Sequence, residues 1–247
     1  MEITIANNVR MDIDVLFERL CEAIATEELS HYYAKGKGRG THDTTAWQSL
    51  RSHLKAVASK AKQLIEIGVL PDYAMEIVAG NGQTVYKKHP ALIVLLACFF
   101  HDMGKCNEQF QERVKSQKKK YFNSEKELPH NYLSIFCTRQ AIDGVYALED
   151  AEWQDLVYAI AHHHFLFDDM AKRIDKSAVL EEVKEKFLQQ FCAGATKVKK
   201  RTLRDGLDRT NVKIPIEIWN YRDYITGLLM LCDYAASGDR EVAYANE

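Results

Sequence analysis

Ten consecutive apolar residues, Ala91 to Phe100, lead directly into His101 and Asp102, with Lys105 three positions further on, in the run PALIVLLACFFHDMGK from Pro90 to Lys105. A carboxylate at the end of a core segment needs a partner, because burying it uncompensated costs several kcal/mol or forces a pKa shift; a bound cation supplies that partner. Other ligand types occupy comparable positions. His53 borders the apolar face that Leu50, Leu54, Val57 and Ala58 mark in WQSLRSHLKAVASKA, and His130 follows Pro129 where a new apolar stretch opens. His162, His163 and His164 close LVYAIAHHHF, and Asp233 sits in GLLMLCDYAAS with no basic residue between Ile225 and Ser237. Each has an ordinary alternative as a core histidine or a hydrogen-bonded carboxylate. Successive helical residues point about 100° apart, so at most two of the three adjacent histidines face one ion. Imidazoles with two carboxylates suit one or two divalent transition ions, with Mn expected and Ni, Co, Fe or Mg as the other candidates. Two such ions roughly 3.5 to 4 Å apart activate water and clamp a phosphate from both sides. The Lys105 ammonium could meet a non-bridging phosphate oxygen; its alternative is a surface lysine ending the helix.

These groups need helices to converge. The pattern predicts an all-α fold, with helices near 12–29, 45–66, 71–79, 90–101, 106–118, 129–142, 151–163, 176–191 and 215–236 and no competing run of alternating strands. All four prolines, Pro71, Pro90, Pro129 and Pro215, stand at or just before the start of an apolar-periodic segment, the usual first-turn position of proline. A chain of 247 residues with 47% apolar and 28% charged residues is expected to form one domain over 1–247, its chemistry-bearing motifs lying within 45–237. No internal repeat or low-complexity linker divides it.

The net charge of -2 conceals local basic runs at Lys35 to Thr41 (KGKGRGT), Arg113 to Lys120 (RVKSQKKK) and Lys197 to Arg204 (KVKKRTLR). Any one of them reads as solvated surface, but three beside a metal cluster point to a polyanionic substrate. The glycine-rich run lacks the spacing of a nucleotide-binding phosphate loop. Tyr32, Tyr33 and Tyr121 offer aromatic faces beside the basic runs. Six cysteines without a CxxC pair read as reduced thiols, mostly buried. With no basic and apolar leader in MEITIANNVRMD and no apolar run long enough to span a bilayer, the protein is expected to be cytoplasmic. A second His-Asp doublet, His42 and Asp43, follows the glycine-rich run without an apolar helix leading into it, and is assigned to the surface.

The order His, His-Asp, His, His-His, Asp on successive helices resembles the HD superfamily of metal-dependent phosphohydrolases, named for a doublet that corresponds to His101 and Asp102. More narrowly, the segments WQSLRSHLKAVASKA, FFHDMGKCNEQFQ, PHNYLS, AIAHHHF and LCDYAAS resemble the HD nuclease subunit of type I CRISPR interference systems, from roughly Tyr32 to the C-terminus. The resemblance implies His53, His101, Asp102 and Asp233 as one metal set, and His130 with two of the triplet as a second, bridged by Asp102. The family's small residue before its histidine pair and glycine after it align the pair with His163 and His164; His162 and Phe165 depart from that pattern, and Tyr234 stands where tryptophan is common. Asp102 and Lys105 would carry catalysis, and Ser134 would orient a ligand or meet substrate. The family further implies cleavage of single-stranded DNA, endonucleolytically and from a 3′ end. With no helicase motif here, the partners expected are a separate superfamily 2 helicase and an RNA-guided surveillance complex. Two rival readings are an HD phosphohydrolase acting on nucleotides or cyclic dinucleotides, and a catalytically idle docking module.

Overall fold

A computed structural model describes residues 3–5, 12–25, 27–35, 48–78, 85–116, 129–143, 148–164 and 216–238. The predicted helix at 176–191, the basic run from Lys197 to Arg204, His42, Asp43, Tyr121 and Phe165 lie outside them. The described part is mostly helical: α1 (Ile13–Ala23), α2 (Glu27–His31), α3 (Leu50–Glu66), α4 (Pro90–Phe100), α5 (Glu108–Lys115), α6 (His130–Asp143), α7 (Asp150–His162) and α8 (Ile216–Ser237). A 3-10 turn, Met103–Cys106, joins α4 to α5.

The apolar run that opens the sequence pattern becomes the central helix. Every residue of α4 is buried, as expected of a helix that is hydrophobic all round, and α3, α7, α8, α1 and α6 all pack against it. Pro90 occupies its first turn, where its missing N–H costs no helical hydrogen bond. The surrounding helices bring one apolar stripe each: α3 buries Leu50, Leu54, Val57, Ala58, Ala61 and Leu64, with His53 on the same face. Among the described residues, Cys98, Cys106 and Cys232 are buried free thiols and Cys21 is partly covered.

Pro71 does not start a helix, and the predicted helix at 71–79 is replaced by a strand, Met75–Val78 (β4). The reason lies one turn upstream. Gly68 adopts φ 77°, its N–H bonds Ile65 O at 3.0 Å, and Val69 N bonds Leu64 O at 2.9 Å, closing α3 with a left-handed cap. Pro71 is therefore the stop after that cap. β4 pairs antiparallel with β1 (Ile3–Ile5) and with β5 (Val85–Lys88), a small sheet at the edge of the bundle. The predicted helix at 12–29 is likewise broken between Ala23 and Glu27, and the first residues of the predicted 45–66 helix form β3 (Gln48–Ser49), paired with β2 (Tyr33–Lys35).

Two buried cations fix α7 and α8 to the sheet. Lys88 Nζ lies 2.5 Å from Asp155 Oδ2, and Arg222 Nε donates to Asp155 Oδ1 at 2.8 Å. Asp155 is wholly buried on α7, the helix that ends in the histidine triplet, and Arg222 is on α8, three turns before Asp233. Asp155→Ala removes the buried carboxylate that both cations share and is expected to destabilise the protein by about 3 kcal/mol. Urea denaturation checks this; an unchanged midpoint would contradict the structural role.

Candidate metal centre

The end of α4 sets the cluster. His101 caps the helix, and its Nδ1 lies 3.1 Å from the carbonyl of Cys98. Since a carbonyl only accepts, the proton is on Nδ1 and Nε2 is left with a lone pair turned to the site. His163, at the end of α7, is held in the same way by Ile160 O at 2.6 Å. This backbone clamp on the distal nitrogen is the arrangement that orients metal-ligating histidines.

Asp102 is the hub. Its Oδ2 is 3.1 Å from His53 Nε2 and 3.2 Å from His101 Nε2, and its Oδ1 is 3.0 Å from His130 Nε2 and 3.7 Å from His163 Nε2. Lys105 donates to Asp102 Oδ2 across the 3-10 turn. His130 Nε2 and His164 Nε2 are 3.0 Å apart, a separation at which two imidazoles share either a proton or a cation. The donor atoms of Asp102, His130, His163 and His164 lie within 4.8 Å of one another, and so do those of His53, His101 and Asp102. Asp233 Oδ1 approaches His53 Nε2 at 3.3 Å and His101 Nε2 at 4.0 Å from the solvent side, and accepts from Ser237 Oγ at 3.0 Å. All seven residues expected as ligands thus converge from α3, α4, α6, α7 and α8.

His162 stands apart. Its ring stacks on Tyr158 at 4.1 Å between centroids and its Nδ1 lies 2.8 Å from Tyr158 O, so it belongs to the packing of α7. Lys105 is not a surface lysine: it is 7% exposed. Tyr234 is 71% exposed and contributes nothing to the cluster.

The electrostatics favour a bound cation. Burial alone would raise the Asp102 carboxyl, but His101, Lys105 and His130 outweigh it and hold the group well below the usual carboxylate range. Asp233 is lowered too, burial being overcome by its bond to His53 and by His101. Burial pushes His130 down to about 4, only partly opposed by Asp102, and lowers His101 and His164. These three imidazoles are therefore held neutral beside ionised carboxylates, the protonation states that ligate metals. His53 differs: burial lowers it, yet Asp102 and Asp233 together raise it, so a cation taken up between those carboxylates displaces a proton. Several of these atoms, His53 Nε2, His101 Nε2, His163 Nε2 and Asp102 Oδ1, are buried without a well-formed hydrogen bond. Buried polar atoms are seldom left so, and ions held by the two donor groups would satisfy all of them.

Three residues brace the cluster through its backbone, and two of them, Asn107 and Gln111, escaped the sequence reading. Ser134 Oγ accepts from Gly104 N at 2.8 Å and donates to His130 O at 2.8 Å, which joins the 3-10 turn to the first turn of α6 and so places His130. Ser134 was expected to orient a ligand or meet substrate; its bonds hold the backbone of a candidate ligand, His130. Asn107 caps α5, accepting from Phe110 N at 3.0 Å and donating to Gly104 O at 3.0 Å. Gln111 Nε2 donates to Lys105 O at 2.7 Å and to Tyr33 O at 3.0 Å, while its Oε1 accepts from Tyr33 N at 3.0 Å. The signal for Asn107 and Gln111 was their place within FFHDMGKCNEQFQ, but side chains that brace a backbone have no periodicity of their own.

A helical core presenting a His-Asp doublet amid imidazoles from three further segments and a carboxylate from a fourth defines an HD-type metal site. A profile of the family described as Cas3, HD domain matches residues 34–242, and the chain belongs to that family, the HD nucleases of CRISPR type I systems. No curated protein and no solved structure gave a significant match. The family is one of metal-dependent hydrolases that bind divalent ions and act in DNA-directed interference. Among the described residues, no helix is long and apolar enough to cross a membrane.

Proposed function

We propose that this chain forms a single HD nuclease domain that cleaves single-stranded DNA, endonucleolytically and from a 3′ end, using one or two divalent ions, with Mn expected. The observation that carries this is Asp102, whose two oxygens face two separate sets of imidazoles. His53, His101, Asp102 and Asp233 would hold one ion, and His130, His163, His164 and Asp102 the other. Bound there, the ions supply Lewis acidity that activates water and neutralises charge on the phosphate. The protein's part is to keep His101, His130 and His164 neutral through burial, to fix His101 and His163 by backbone carbonyls and to keep Asp102 ionised. Lys105 brings a buried positive charge against Asp102, where it steadies the carboxylate and the charge that develops on the scissile phosphate. With no base-reading motif in its sequence, the chain is expected to cut without sequence preference. A separate helicase and an RNA-guided surveillance complex would then supply the strand and the target choice, in the cytoplasm.

The triplet separates by role. His164→Gln is expected to weaken binding of the second ion by about 10- to 100-fold, whereas His162→Gln leaves metal binding within about twofold of the unaltered protein. Mn titration by calorimetry distinguishes them, and equal losses would contradict the assignment.

The test of the function is hydrolysis of an end-labelled single strand by metal-stripped protein with Mn, Mg, Ni or nothing restored. Unlabelled long strands and free nucleotides serve as competitors. Metal-dependent cutting, inhibited by the strand and not by nucleotides, is expected. Nucleotide hydrolysis with no strand cutting would favour a nucleotide or cyclic-dinucleotide phosphohydrolase. Metal binding without either reaction would favour a docking module.

A further inference from the structure

Beside the cluster, the short strand β2 presents an aromatic and a lysine to the outside. Tyr33 and Lys35 are partly exposed while Ala34 between them is buried. The pairing with β3 shifts at this point, Tyr33 lying opposite Ser49 and Lys35 opposite Gln48, so the strand carries one extra residue. Such bulges re-aim side chains next to active sites. Here the result is that Lys35 reaches the rim of the metal centre: its ammonium bonds Ser237 and lies 3.9 Å from Asp233 Oδ1, with the side chain still 36% exposed. The strand is tied to the catalytic turn through the three hydrogen bonds that Gln111 makes to Tyr33 and Lys105, so Lys35 is held in register with the cluster. From α5, Lys115 Nζ lies 6.0 Å from the centre of the Tyr33 ring, and Arg113 lies over Phe110 at 4.9 Å. Glu108 and Glu112 are exposed on the same helix, so recognition rests on where the cations sit rather than on the net charge of α5.

We infer that the outer face of β2, with Lys115 at the end of α5, is the track along which a single DNA strand reaches the cluster, Lys35 gripping the phosphate next to the site and Tyr33 stacking on a base. The inference rests on the single-strand nuclease reading above and specifies where the substrate lies. A basic edge with an interposed aromatic face is the chemistry that holds single strands without reading sequence. The Lys35 ammonium, already drawn toward Asp233, would sit between that carboxylate and the phosphate.

The experiment is fluorescence anisotropy of a labelled oligo(dT) with the full chain in EDTA, where no cutting occurs, across a series of NaCl concentrations. Lys35→Gln is expected to weaken binding about fivefold and to make the slope of log K against log salt shallower by about 0.7, one phosphate contact on a single strand. Tyr33→Leu is expected to weaken binding about tenfold with the slope unchanged, and its main-chain bonds to Gln111 are preserved. Lys62→Gln, which removes an equal charge from the far part of α3 where Lys62 pairs with Asp14, controls for net charge. Thermal melts verify that each variant is folded. A Lys35→Gln slope equal to that of the unaltered protein, or a loss matched by Lys62→Gln, overturns the inference alone. Absence of single-strand binding by the unaltered protein overturns the nuclease reading and the track together.

Discussion

Asp102→Ala is expected to lower metal-dependent cleavage by about a thousandfold or more. One side chain serves both donor groups, so its loss removes a ligand from each and cannot be compensated from either side. The same substitution leaves the Lys105 ammonium, 7% exposed, without its carboxylate, so part of any loss could come from stability. Asp102→Asn separates the two effects. Its amide oxygen still accepts from Lys105 and keeps the shape, while the negative charge that draws cations is gone. Far-ultraviolet circular dichroism should show near-native helix for the Asn variant alongside lost cleavage and lost metal content. Full cleavage by the Asn variant would contradict the role of the carboxylate.

A large effect on folding and on the site together is expected from Gly104→Ala. A Cβ at that position would overlap the carbonyl oxygen of His130 and sit 2.7 Å from Leu133 Cβ. Both are fixed: the carbonyl accepts from Ser134 in the first turn of α6, and Leu133 is fully buried. The 3-10 turn and α6 must therefore separate, at a cost of about 3 kcal/mol or more. Because His130 begins α6, the separation also withdraws it from Asp102. Urea denaturation and Mn titration should show a lower midpoint together with weakened binding of the second ion. A variant as stable as the unaltered protein would mean that the two segments do not approach as described.

Gly104 illustrates what was legible in the sequence and what was not. Its place in HDMGK marked it as part of the motif, but the need for glycine comes from a segment 26 residues later in the chain pressing against it, and not from its own backbone; among the described residues only Gly68 has a positive φ. The central helix was legible because ten consecutive apolar residues permit little else. The seven candidate ligands were legible because carboxylates and imidazoles in apolar helices are costly unless they meet something, and the fold brings all seven together. Pro71 misled because proline serves both after a helix end and in a first turn. The signal that decides is Gly68 three residues before it, which closes α3 and frees the chain to form β4. The choice within the histidine triplet was open on residue identity alone. It depends on which carbonyl each ring meets: Tyr158 O and the Tyr158 ring draw His162 aside, while Ile160 O turns His163 to the cluster.

The most direct measurement is nicking of a circular single-stranded DNA, which has no end to digest, by metal-stripped protein with Mn restored and Asp102→Asn in parallel. Linear product formed by the unaltered protein only when Mn is present, and not by the variant, is the predicted result. Cutting that proceeds without metal, or equally in the variant, would contradict a nuclease centred on Asp102.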